Sequence, residues 1–202
     1  MPNLLNIIHP YTYKLREGLF VLGSIDEYKE RDEKLSAFVT RALKSRARVL
    51  HHRRTSPGSM EAGVEDVAFE VDPLFRFFRD GEIDSFATTL YGVPIADERP
   101  LSSKITSREW DQLKSLFISY SKLREKIGNP DNVFFIGGVF ECCLANAATY
   151  FRRQYFPDTI MYYIPELCVS LNEDLFRETE ERLEREKISP LSYNDALAAV
   201  GG

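Results

Sequence analysis

Cys142 and Cys143 sit in the string Phe134–Ala148, FFIGGVFECCLANAA, between an apolar run closed by two glycines and an alanine-rich run. The order strand, glycine turn, helix places a thiol near a helix N-terminus. There the unsatisfied backbone N–H groups and the positive end of the helix dipole favour a thiolate. Such a thiolate is a nucleophile, and the same backbone N–H groups suit an oxyanion. Cys143 is the candidate nucleophile. The same string also fits plain packing, because free cysteine behaves as a small hydrophobe and CCLANAA suits a helix laid closely on a sheet.

Three cysteines, two of them adjacent, are a poor disulfide framework and read as thiols. A net charge of -5 gives no basic footprint, so nucleic acid is not an expected partner. No apolar run reaches the roughly 20 residues of a membrane span, and MPNLLNIIHPYTYKLREG lacks the order of a signal peptide. The expected setting is cytoplasmic, away from membranes.

The elements that would position Cys143 alternate along the chain. GLFVLGSI (18–25) reads as a buried strand, and DEKLSAFVTRALKSR (32–46) as a helix with Leu35, Phe38, Val39 and Leu43 on one face. ARVLHH (47–52) reads as the next strand, followed by a loop broken at Pro57 and Gly58. Residues 65–94 mix strand-like pieces with turns, and 107–126 carry helical spacing from Trp110 to Leu123. NVFFIGG (132–138) is a strand, 142–156 a helix and 158–164 a strand. Residues 173–186 form a charged helix with Leu175 and Leu183 facing inward. ISPLS (188–192) and YNDALAAV close the chain as strand and helix. This alternation predicts an α/β fold, a three-layer sandwich with a mainly parallel central sheet and helices on both faces. Its 202 residues are read as one domain, with 1–17 as an N-terminal extension. In such a sheet the binding crevice lies at the carboxyl ends of the strands, where the turn at Gly138 leaves.

Residues 132–148 resemble the nucleophile region of the isochorismatase-like cysteine hydrolases, which include nicotinamidases. Gly137, Glu141, Cys143, Leu144 and Ala148 match that pattern in type and spacing, while Phe140 and Ala147 stand where threonines are usual. MYYIPELCVSL resembles the next strand, with Glu166 where an Asp is common, and Cys168 reads as structural. The resemblance covers most of 18–200.

The resemblance implies a cis peptide bond at Gly138–Val139, an oxyanion site at the Val139 and Cys143 amides, and a Cys-Asp-Lys arrangement. Lys104 stands 39 residues before Cys143, as the pattern requires; a solvated surface lysine is the plainer reading. For the Asp, one register places Ser24 at the position and another places Asp26 there; serine cannot serve as a carboxylate base. Nicotinamidases bind a divalent metal through Asp-x-His and a further His. That spacing is missing here, His51 and His52 point to opposite faces of a strand, and His9 is expected outside the core. No metal or other cofactor is expected. Glu141, His51 and Arg53 are candidate substrate contacts.

Two functions follow. The first is a metal-independent hydrolase of a small amide or related C–N bond, with ether hydrolysis as a variant of the same fold. The second is a family member that has lost catalysis and serves in binding or assembly. The resemblance also implies a homo-oligomer, a dimer or tetramer.

Overall fold

The string LLNII at positions 4–8 carries apolar residues on both faces of an extended chain, as a strand covered on both sides requires. In the computed structural model it forms β1, Leu4–Ile8, with all five residues buried. Described are residues 2–9, 23–54, 84–88, 125 and 127–201, the side chains of 53, 54 and 84–88 excepted. β1 lies inside the sheet, between β2 (Arg48–Arg54) and β4 (Asn132–Gly138). Residues 4–8 are therefore a central strand of the sheet and not part of an N-terminal extension.

Among the described residues six strands run parallel in the order β3-β2-β1-β4-β5-β6, with β3 at Asp84–Thr88, β5 at Ile160–Val169 and β6 at Ile188–Pro190. From β1 the chain winds outward through β2 to β3, then returns to β4 and winds the other way. β1 and β4 thus form the switch point of the sheet, where connections diverge and leave a crevice at the carboxyl ends.

Four helices cover the sheet among the described residues: α1 (Ile25–Lys44), α2 (Ala145–Gln154), α3 (Glu173–Arg185) and α4 (Tyr193–Gly201). Leu35, Phe38 and Val39 of α1 and Ala196 and Val200 of α4 pack on Leu5, Ile7, Phe134 and Ile136. On the other face Ala147, Ala148 and Phe151 of α2 and Leu183 of α3 pack on Leu4, Ile8, Val133 and Phe135. The three-layer α/β arrangement is the expected one. No helix among the described residues is long and apolar enough to cross a membrane.

Local differences have physical causes. The strand expected over 18–25 does not reach residue 24. Ser24 instead caps α1, accepting from Glu27 N–H at 3.2 Å while the Glu27 carboxylate accepts from Ser24 N–H at 2.5 Å. This reciprocal capping box starts the helix at Ile25, ahead of the expected 32. β5 continues past 164 because it bulges: Phe135 pairs with Tyr163 but Gly137 with Cys168, and Pro165, which has no N–H to offer a ladder, falls within the bulge. On α3 Leu175 is 40% exposed, and Phe176 turns inward in its place, stacked on Phe140 with centroids 4.5 Å apart. The expected helix over 107–126 and the stretch 65–94, β3 apart, lie largely outside the described residues.

Candidate active site

β4 ends at the switch point in Gly137 and Gly138. Gly137 has a φ of +102°, and a Cβ there would lie 2.0 Å from the carbonyl oxygen of Ile8 on β1, so the position admits no side chain. The Gly138–Val139 peptide bond is cis. The chain then makes a π-helical turn, Phe140–Leu144, in which Val139 O accepts from Leu144 N–H at 3.1 Å and from Cys142 N–H at 3.3 Å. The turn leads directly into α2. Cys143 is buried and belongs to the same core cluster as Ile8, Leu50 and Phe140, whereas Cys142 is half-buried. Cys143 therefore stands one turn beyond the carboxyl end of β4, on the α2 face of the sheet.

Glu141 fixes this turn from the other side. Its Oε1 accepts from the Ser170 hydroxyl and, at 2.9 Å, from Leu171 N–H, while Arg182 donates to the Glu141 carbonyl at 3.4 Å. The residue expected as a substrate contact thus joins the turn to the end of β5.

Beside the turn lies a buried polar group. His52 Nε2 is 2.9 Å from Asn6 Oδ1, and Asn6 Nδ2 donates to Phe134 O at 3.4 Å. The amide oxygen can only accept, so His52 carries its proton on Nε2 and its lone pair on Nδ1. Burial, and secondarily the charge of His9, hold the His52 imidazole well below the ordinary histidine pKa. His9 follows β1 directly with a φ of +36°, is buried, and donates its backbone N–H to His52 O at 3.3 Å. This corrects the expectation that His9 lies outside the core: the strand it follows is the central one. His51, by strand alternation, faces the α1 side next to Val49 and lies away from this group. Arg53 belongs to β2, and its side chain is outside the described part.

Neither register proposed for the carboxylate is realised at the end of the central strand. Asp26 occupies the first turn of α1, 92% exposed, with its carboxylate 3.3 Å from Lys29. Ser24 is the cap of that helix. The residue that emerges from the central strand is His9. Lys104 lies outside the described residues. The signal for His9 and the Asn6–His52 pair was present in the sequence as a lone asparagine in an apolar string that ends in histidine.

A cleft of about 540 Å³ opens between α1 and the end of β5, lined by Tyr28, Arg31, Lys34, Glu166, Cys168 and Ser170 among others. Arg31 is held by Asp32 at 2.5 Å. The Cys168 thiol donates to Ile164 O at 3.1 Å, and burial pushes its pKa up, which keeps it a thiol. Among the described residues no group of three or more His, Cys, Asp or Glu side chains is placed to hold a metal ion.

No protein-family model matches the sequence, and no curated protein sequence matches it significantly. Solved structures do resemble it. The YcaC gene product of Escherichia coli, described as an octameric hydrolase of unknown specificity, superposes with a TM-score of 0.58 at 11% identity, over 98% of this chain and 78% of that one. The yeast nicotinamidase gives 0.58 at 12% identity, over 95% and 99%. An isochorismatase family protein from Burkholderia thailandensis gives 0.51 at 10% identity, over 99% and 95%. The chain has the isochorismatase-like fold.

Proposed function

We propose that this protein is a cysteine hydrolase of small amides or related C–N bonds, with Cys143 as its nucleophile. The observation that carries this reading is the tight Gly137–Gly138 end of β4 and the turn Phe140–Leu144 after it, which bring Cys143 to the carboxyl end of β4 at the switch point of the sheet. In the reaction the Cys143 thiolate attacks the carbonyl carbon and forms a tetrahedral adduct. The Val139 and Cys143 amides receive the oxyanion, and collapse expels the amine and leaves a thioester for water to cleave. Lys104 is assigned the cationic role that favours the thiolate, on the resemblance alone. No step requires a metal. A homo-oligomer accompanies this reading, supported by the octameric E. coli neighbour.

The test is ammonia release from a panel of small primary amides, aliphatic, aromatic and carbamoyl, by the wild type and Cys143→Ala. Turnover by the wild type that disappears in Cys143→Ala supports the reading. A second reading, a protein kept for binding or assembly, is favoured by the position of Asp26 on the exposed turn of α1. Calorimetric binding of an amide with no turnover by either protein would select it.

A further inference from the structure

A thiol buried at the switch point needs a base that reaches it from a neighbouring strand. β1 is that strand: Ile8 is in register with Gly137, the first residue of the Gly137–Gly138 turn, and His9 is the residue that follows Ile8. We infer that His9 is the general base that takes the Cys143 proton, and that Asn6 and His52 are the residues that position it. The inference rests on the cysteine-hydrolase reading above.

Three observations carry it. His9 is buried at the crevice end of β1, and among the described residues it is the titratable side chain that directly follows this strand. Its main chain is held by the bond from its N–H to His52 O, and His52 is in turn anchored through Nε2 to Asn6. Ile8, the neighbour of His9, packs in the same cluster as Cys143. A neutral imidazole has a ring nitrogen that can accept a proton, as a general base requires. His52 is the weaker candidate, since its Nε2 is committed to Asn6. Asp26 is engaged by Lys29 in solvent.

The step balances as follows. The Cys143 proton passes to the His9 imidazole, the sulfur forms the C–S bond, and the carbonyl π pair moves to oxygen. As the adduct collapses the C–N bond breaks and the imidazolium gives its proton to the departing amine. His9 then takes a proton from water, the hydroxide cleaves the thioester, and the thiolate recovers that proton.

The rate of Cys143 alkylation by iodoacetamide at pH 7, with the adduct located by tandem mass spectrometry, tests this in wild type, His9→Asp and His9→Asn. The two variants have the same shape and differ in basicity, so any packing loss is shared. His9→Asp is expected to react at least about tenfold faster than His9→Asn, since a thiol of ordinary pKa near 8.5 is only a few per cent thiolate at this pH. Should these variants not fold, His9→Gln is compared with the wild type, and a loss of about tenfold is again expected. Equal rates would overturn the inference alone. A wild-type Cys143 that is inert at pH 7 would overturn the hydrolase reading, and this inference with it.

Discussion

Asn6 Oδ1 lies 2.9 Å from His52 Nε2 across two buried strands, and the two side chains answer each other's hydrogen-bonding needs where water does not reach. Asn6→Leu leaves the His52 N–H unsatisfied and removes the bond to Phe134 O. The expected loss of stability is about 1–3 kcal/mol, read from urea unfolding.

The same histidine makes stability depend on pH. Its folded pKa is held well below the ordinary value by burial, so below about pH 6.5 the unfolded chain takes up a proton that the folded chain refuses. The contribution is complete above that pH and declines as pH falls, by up to about 1.4 kcal/mol per pH unit for this one proton. Unfolding midpoints between pH 7 and 5 should fall in the wild type and fall less in His52→Gln.

Gly137→Ala should be among the most damaging single changes in the described residues. The new methyl group would meet the Ile8 carbonyl at 2.0 Å on a backbone already in the left-handed region. A loss above about 3 kcal/mol, or failure to recover soluble protein, is expected.

The parallel sheet, the strand over 132–138 and the turn into the cysteine helix were legible because long apolar runs, glycine breaks and an alanine-rich helix all agree there. The start of the chain was not. β1 is only five residues long and contains Asn6, so it presents less apolar pattern than FVLGSI, whose last two residues are the cap and the first residue of α1. The Ser24–Glu27 capping box is the sign that a helix begins at 25. Asp26 therefore belongs to the first turn of a helix and not to a strand end, whereas the strand that enters the crevice is followed by His9. The bulge at Pro165 was hidden for another reason, since it depends on how β5 meets β4 and has no local period of its own.

Arg152 closes the lower end of the α2 face. It donates to the carbonyls of Phe156, Pro157, Thr159, Glu186 and Lys187, at 2.7 to 3.1 Å. Arg152→Met should cost about 3 kcal/mol or more. Arg152→Lys should restore little, because an ammonium cannot reproduce the planar fork. Thermal unfolding of the three proteins checks both statements.

The hydrolase reading makes Cys143 the reactive thiol, and its burial makes the order of labelling decisive. Cys143 is 3% exposed while Cys142 is only half-buried, so accessibility alone would have Cys142 labelled first. Treating the native protein with less than one equivalent of iodoacetamide at pH 7, and locating the adduct by tandem mass spectrometry, separates the two orders. The account predicts modification of Cys143 before Cys142 and Cys168. Labelling of Cys142 first, or of no cysteine until the protein is unfolded, would contradict it.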